Sequence, residues 1–118
     1  MDLPAIVEAY CQAWNVADEG QRRRLLDDSC ADDVSYTDPK TDLAGREALL
    51  AHIARVQAGR PGSGIARTSG VDLHHGRLRF AWKLADAAGR TVVEGVDFCE
   101  LAADGRLRRI VGFFGPLA

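Results

Sequence analysis

Residues 77–85 read Arg-Leu-Arg-Phe-Ala-Trp-Lys-Leu-Ala, and this stretch decides the fold class. Large apolar side chains alternate with mostly charged ones, which is typical of a β-strand with one buried face and one face in solvent. Strands of this kind belong to antiparallel sheets that cover a core with one face. The predicted core face carries Leu78, Phe80, Trp82 and Leu84.

Turn signals on both sides of this strand indicate that it belongs to a meander, a series of antiparallel strands joined by tight turns. Gly76 precedes the strand, Gly89 follows it, and Asp104-Gly105 is a strong hairpin signal further along the chain. The sequence between these turns predicts four strands. They cover residues 65–75, 77–85, 90–101 and 106–115.

The last two predicted strands differ from the others because both of their faces carry large apolar groups. Val96, Phe98, Val111 and Phe113 lie on the face opposite the inferred core face. A sheet that is apolar on both faces needs a second cover. We therefore expect a homodimer that forms through the outer face of these two strands.

The first half of the chain has helical spacing. Asp2 and Asp18 are predicted to cap two helices, the second of which ends near Asp28. The Arg22-Arg23-Arg24 run of the second helix is interpreted as a solvated face. The predicted inward positions are Leu3, Val7, Tyr10 and Trp14 on the first helix and Leu25 and Leu26 on the second.

A short strand and a third helix complete this half of the chain. Residues 34–37 are predicted as a strand that Asp38-Pro39 ends, and residues 46–57 as a helix with His52 beside its core stripe. The side chains of Val34, Tyr36 and Asp38 share one side of the strand. Three helices followed by a long antiparallel sheet predict an α+β fold in which the curved sheet wraps around the helices as a cone.

Composition and charge argue against several classes of function. The chain has 118 residues, of which 47% are hydrophobic and 27% charged, and this predicts a single domain over 1–118. A formal net charge of −2 argues against a nucleic-acid partner. No apolar run approaches the roughly 18 residues of a membrane span. Cys11, Cys30 and Cys99 lack C-x-x-C spacing, so we expect free, buried thiols and a cytoplasmic protein.

Six short segments carry a family resemblance. They are 10–15 (YCQAWN), 31–34 (ADDV), 36–39 (YTDP), 45–48 (GREA), 94–97 (EGVD) and 104–107 (DGRL). In this order, and over nearly the whole chain, they resemble the nuclear-transport-factor-2-like superfamily, above all its SnoaL-like and ketosteroid isomerase branches. The resemblance implies the cone-shaped fold inferred above, usually dimeric through the outer face of the sheet.

The resemblance to ketosteroid isomerases implies three catalytic residues by position. Their general-base aspartate lies in an Asp-Pro pair that ends the first strand, where this sequence has Asp38. Their oxyanion donors are a tyrosine on the first helix and a protonated aspartate on the penultimate strand, which match Tyr10 and Asp97. A second tyrosine on their third helix corresponds to Ile53 here, so we expect the hydrogen-bond network behind Tyr10 to be missing.

The activity that this resemblance implies is acid/base chemistry without a cofactor or a metal. The enzyme would remove a proton next to the carbonyl group of a steroid-like or polyketide-like compound, as an isomerase or as a cyclase. In the cyclases a late-strand carboxylate does this work, so a cyclase would use Asp97 in place of Asp38. We expect six side chains to contact a small hydrophobic molecule, although the same side chains would also be typical of an ordinary hydrophobic core. They are Trp14, Tyr36, His52, Phe80, Trp82 and Phe114.

Two alternatives to this activity stay open. One is a ligand-binding homodimer without turnover, which the missing tyrosine at Ile53 favours. In that case Asp38 simply ends a strand, Tyr10 packs in the core, and Asp97 faces solvent or a backbone amide. The other is epoxide hydrolysis, for which members of the resembling superfamily use an inward Asp-Arg-Asp set; the arginines of residues 77–85 are predicted on the outward face, which disfavours it.

Overall fold

Aspartate caps begin the first two helices, as the sequence predicts. The computed structural model describes residues 2–117. The Asp2 carboxylate accepts a hydrogen bond from the Ala5 amide at 3.0 Å, and Asp18 accepts one from the Gln21 amide at 2.8 Å. No helix in this range is long and apolar enough to cross a membrane. The helices are α1 over Leu3–Ala13, α2 over Glu19–Ser29 and α3 over Arg46–Gly59.

The strands form one curved, open sheet on which the three helices pack, so the predicted α+β cone is confirmed. They are β1 over Cys30–Asp38, β2 over Thr41–Ala44, β3 over Gly64–Arg67, β4 over Asp72–His74, β5 over Arg77–Ala85, β6 over Thr91–Leu101 and β7 over Leu107–Phe114. Their order across the sheet is β2-β1-β7-β6-β5-β3, and β4 also pairs with β5.

The sheet is mixed, whereas the sequence predicts an antiparallel one. Strand β1 runs parallel to β7, with Thr37 opposite Val111. These two strands are separated by most of the chain, so no tight hairpin imposes an antiparallel pairing on them. Beyond Asp38-Pro39 the chain does not leave the sheet but turns back as β2, whose sequence Thr-Asp-Leu-Ala is too short and too polar to be recognised by its periodicity.

The strand predicted over residues 65–75 is two strands, β3 and β4, which both pair antiparallel with β5. The interruption falls around Ser69-Gly70, where the Ser69 hydroxyl accepts a hydrogen bond from the Ala81 amide at 2.8 Å. This side chain replaces a backbone partner, so β5 keeps its hydrogen bonding across the gap. The turn signal at Gly76 is confirmed: the chain turns at His75-Gly76, where both residues have a positive φ.

The hydrophobic core lies between the inner face of the sheet and the helices. The predicted core face of β5 is confirmed, because Leu78, Phe80 and Trp82 are buried and Leu84 is half-buried. The three cysteines are buried and free of disulfides, as predicted. Helix residues that reach this core include Val7, Tyr10, Leu26, Leu49 and Ile53.

The prediction that the Arg22-Arg23-Arg24 run is a solvated face is wrong for Arg22. Its side chain is only 3% exposed, and its Nη2 donates a hydrogen bond to the Val16 carbonyl at 2.9 Å and another to the side-chain oxygen of Gln57. The segment between α1 and α2 leaves backbone carbonyls without helical partners, and such groups need donors when they are buried. Arg22 is therefore a structural tie between α2 and α3.

Candidate active site

A cavity of about 360 Å³ opens between α1, α3 and the inner face of the sheet. All nine residues singled out in the sequence line it, and their chemical roles remain predictions. They come from α1, α3 and four strands that are far apart in the chain. The nine are Tyr10, Trp14, Tyr36, Asp38, His52, Phe80, Trp82, Asp97 and Phe114.

Two aspartate side chains lie on either side of Gly112 in the middle strand β7. Asp97 of β6 lies opposite Gly112 of β7, and Asp38 follows Thr37, which lies opposite Val111 on the other edge of β7. A methyl group at Gly112 would lie 3.1 Å from Asp97 Oδ1 and 3.6 Å from Asp38 Cβ. The missing side chain at this position therefore leaves room for both aspartate side chains on the cavity side of β7.

The carboxyl group of Asp97 lies in apolar surroundings. Its residue is only 6% exposed, and the indole Nε1 of Trp82 donates a hydrogen bond to Oδ1 at 2.9 Å. Burial raises the pKa of Asp97 to about 7, the Trp82 hydrogen bond opposes the rise, and the charge of Asp38 adds to it. Near neutral pH this group is able both to donate and to accept a proton.

The carboxyl group of Asp38 lies in a different environment. The residue is half-buried at the end of β1, where the Tyr36 hydroxyl donates a hydrogen bond to Oδ2 at 2.7 Å and the Lys40 amide donates one to Oδ1 at 2.9 Å. Two donors therefore converge on the Asp38 carboxylate, whereas Asp97 accepts only from the Trp82 indole. Burial and the contact with Asp38 raise the pKa of Tyr36, so the phenol stays protonated as the donor.

Tyr10 presents a hydroxyl to the same cavity. The residue is buried, and burial followed by the charge of Asp97 raises the pKa of its phenol, which stays protonated. Within residues 2–117 no protein group forms a hydrogen bond with this hydroxyl. Ile53 is fully buried and does not line the cavity. The Tyr10 hydroxyl is therefore free to donate to a ligand.

Aromatic rings form the walls around these polar groups. The Trp14 ring lies 5.9 Å from that of Tyr36, and the Tyr36 ring lies 5.3 Å from the imidazole of His52, measured between centroids. The Trp82 and Phe114 rings also line the cavity and meet edge to face at 5.8 Å. Desolvation lowers the pKa of His52, so its imidazole is neutral at pH 7. No three His, Cys, Asp or Glu side chains among the described residues are grouped as metal ligands.

Comparison with solved structures shows to which protein family this chain belongs. A SnoaL-like protein from Agrobacterium tumefaciens strain C58, provisionally named an isomerase, is 30% identical over 97% of both chains, with a TM-score of 0.89. The chain belongs to the SnoaL-like family. No protein-family model and no curated protein matches this sequence.

More distant structures share the fold of this SnoaL-like chain. An NTF2-like protein of unknown function from Exiguobacterium sp. 255-15 is 15% identical over 95% of this chain and 99% of its own, with a TM-score of 0.77. A protein from Sinorhizobium meliloti, provisionally named a polyketide cyclase, is 19% identical over 95% and 96%, with a TM-score of 0.73. At these identities the likeness concerns the fold alone.

The cavity of this SnoaL-like protein has further lining residues that sequence reasoning missed. Lys40 and Thr41 follow the Asp38-Pro39 pair directly, so recognising β2 would have found them, whereas Arg60 lies in a loop with no signal of its own. The remaining lining residues have apolar side chains or, in one case, a thiol, and in the sequence such residues look like ordinary core residues. They are Cys11, Val56, Ile65, Leu84, Val92 and Val93.

We expect the Asp97→Asn variant to be more stable than the wild type at pH 8. The folded chain keeps the Asp97 proton up to about pH 7, whereas the unfolded chain releases it near the ordinary value of 3.8. Asp97 therefore destabilises the fold increasingly as the pH rises from about 4 to 7. The amide of Asn still accepts from Trp82 and carries no charge, so we expect a gain of about 4 kcal/mol in the free energy of unfolding.

Urea denaturation at several pH values measures this difference. The gain of Asp97→Asn should disappear below about pH 4, where both states of the wild type are protonated. The exposed Asp33→Asn variant is the control and should show no such pH-dependent gain. A difference between Asp97→Asn and the wild type that stays constant from pH 3 to pH 8 would contradict the assignment.

Proposed function

We propose that this SnoaL-like protein is a cofactor-free enzyme that removes a proton next to the carbonyl group of a hydrophobic compound, steroid-like or polyketide-like. Asp38 is the base in this proposal. Asp97 and Tyr10 donate hydrogen bonds to the carbonyl oxygen, on which negative charge develops. The observation that carries the proposal is the meeting of two carboxyl groups in contrasting environments and one free phenol hydroxyl on a single cavity.

The contrast between the two carboxyl groups supports this division of roles. Asp38 accepts hydrogen bonds from Tyr36 and Lys40 and suits the charged base. Asp97 is buried with one hydrogen bond from Trp82 and suits the neutral donor. Two carboxyl groups placed in different environments on one site are the usual sign of a paired base and acid. Aromatic rings line this cavity, and hydrogen bonds to a developing oxyanion are stronger where apolar walls exclude water.

Proton removal is the shared first step of the two reactions that the names of similar proteins suggest. The C–H electron pair moves into an enolate, and the proton passes to Asp38. An isomerase then returns this proton to another carbon of the same molecule. A cyclase instead lets the enolate carbon attack a second carbonyl group, and the proton goes to the resulting alkoxide. Both outcomes conserve atoms and need no redox partner.

Deuterium exchange tests the proposal before the natural substrate is known. Δ5-3-ketosteroids and aromatic polyketide ketones are incubated with the protein in D2O, and loss of the α-proton signal is followed by NMR. We expect exchange above the buffer rate with the wild type and with the exposed control Asp33→Asn, and loss of that excess with Asp38→Asn. If the wild type exchanges no ketone of either class, the enzyme proposal is wrong.

Ile53 favours a second candidate function, a ligand-binding protein without turnover. A buried isoleucine replaces the tyrosine that the isomerases use, so the Tyr10 hydroxyl has no side chain behind it to orient it. The same ketones then bind without exchange. Quenching of the fluorescence of Trp14 and Trp82 measures binding directly, because both rings line the cavity. Binding with no exchange would select this candidate.

We also propose a homodimer through the outer face of β6 and β7. Val96 lies opposite Phe113 on this face, and the two side chains are 40% and 61% exposed. Phe98 and Val111 are the next pair in the ladder and are half-buried, so the four form one apolar strip. Exposed strips of this kind favour self-association.

We expect the wild type to sediment as a dimer at micromolar concentration and the Phe113→Glu variant as a monomer. A charge in the middle of the strip would have to lose its hydration on association, which is unfavourable. Leu73→Glu, at another exposed apolar residue on β4, is the control and should remain a dimer. A wild type that sediments as a monomer would exclude this interface.

A further inference from the structure

Two positively charged side chains lie at the mouth of the cavity. Lys40 belongs to the turn between β1 and β2, and Arg60 directly follows α3. Both are exposed, and both line the cavity. Among the described residues, neither side chain forms an ion pair or a hydrogen bond, and no acidic residue other than Asp38 and Asp97 lines the cavity.

Most other arginines on this protein have partners. Arg46 pairs with Asp27, Arg79 with Asp72, and buried Arg22 with backbone carbonyls. Unpaired cations beside the apolar walls of a cleft raise the local concentration of anions, because the low-dielectric walls focus their field. The unpartnered state of Lys40 and Arg60 at this place therefore points to a ligand that is itself negatively charged.

The cavity has a buried end and an exposed mouth. At its deep end Tyr10, Trp82 and Asp97 are almost fully buried. At its mouth Val92 and Phe114 are partly exposed, as are the two cations. A ligand whose carbonyl group reaches the deep donors extends its other end toward Lys40 and Arg60.

We propose that the substrate is a hydrophobic carbonyl compound that carries a carboxylate at the end remote from its reacting carbonyl, and that Lys40 and Arg60 bind this carboxylate. The proposal rests on the proposed function for the orientation of the carbonyl group and adds the charge of the substrate. Guanidinium and ammonium groups form charge-assisted hydrogen bonds with carboxylates, and these are stronger than bonds between neutral groups. Neutral steroids and esters lack this contact.

A matched pair of ligands tests the charge preference without turnover. Anthraquinone-2-carboxylate and anthraquinone-2-carboxamide have the same ring system and differ in charge. Their affinities are measured by quenching of Trp14 and Trp82, the two tryptophans of the chain. We expect the wild type to bind the carboxylate about 5-fold to 10-fold more tightly at low salt, the effect of two partly exposed ion pairs. The preference should shrink as salt is added.

Variants that remove positive charges test whether Lys40 and Arg60 cause the preference for the carboxylate. In Lys40→Gln/Arg60→Gln the affinity for the carboxylate should fall to that for the carboxamide, and the affinity for the carboxamide should change less than 2-fold. The control is Arg24→Gln/Lys83→Gln, which removes the same two charges from residues outside the cavity and should keep the preference.

The outcomes separate this inference from the proposed function. Equal affinity of the wild type for the two ligands, failure of both to bind, or equal losses in both double variants would overturn the carboxylate site. Deuterium exchange on neutral ketones would still support the proposed function in those cases. Conversely, a carboxylate preference that depends on Lys40 and Arg60 supports the charged ligand even if the wild type catalyses no exchange.

Discussion

The Asp38→Asn variant is expected to lose at least about 100-fold in turnover of any ketone that the wild type exchanges, because general-base catalysis contributes at least that factor. The amide keeps the shape of the side chain: its oxygen still accepts from the Lys40 amide, and its NH2 group donates to the Tyr36 hydroxyl, so the fold and the cavity are preserved. Affinity for a neutral ligand should change little, since the base acts mainly in the transition state. Initial rates and fluorescence titrations on the same preparation separate the two effects.

Variants of the two donors give the pattern that identifies the base. Asp97→Ala should weaken enolate-like analogues more than neutral ligands, because an oxyanion donor matters most where charge develops. Tyr10→Phe should act in the same direction but more mildly, since its hydroxyl has no supporting partner at Ile53. Unchanged turnover in Asp38→Asn together with a large loss in Asp97→Ala would reject the isomerase-like assignment and make Asp97 the acid/base group, as in the cyclases.

The Gly95→Ala variant is expected to lose about 3 kcal/mol in the free energy of unfolding, at the upper end of ordinary overpacking. Gly95 lies on β6 between Trp82 on β5 and Phe114 on β7. A methyl group there would lie 2.3 Å from the Phe113 carbonyl oxygen and 2.5 Å from Trp82 Cζ2. Neither backbone nor indole is able to move away without breaking sheet pairing or the hydrogen bond from Trp82 to Asp97.

Urea denaturation and the tryptophan fluorescence spectrum measure this effect on the fold and on the site. The control is Gly59→Ala at the end of α3, where a methyl group meets nothing within 4 Å. It should be neutral or gain up to about 1 kcal/mol, as alanine is the better helix former. If Gly95→Ala and Gly59→Ala had equal stability, the close packing of Trp82 against β6 would be disproved.

Local patterns determined the elements whose signal lies within a few residues. The alternation of residues 77–85 and the Asp104-Gly105 turn predicted β5 and the last hairpin, and Asp2 and Asp18 marked the helix starts. Such features depend on side-chain period and on cap chemistry, which a linear sequence contains. The family resemblance added the candidate site residues, which the fold gathers at one cavity.

Tertiary structure alone decided the features that join distant segments. The parallel pairing of β1 with β7, the burial of Arg22 against the carbonyls before α2, and the approach of Asp38 to Asp97 across Gly112 have no local signal. Each of these features depends on which segments become neighbours in the fold, and the periodicity of side chains along the sequence does not determine this. The raised pKa of Asp97 follows for the same reason, since burial and the neighbouring charge exist only after the strands have paired.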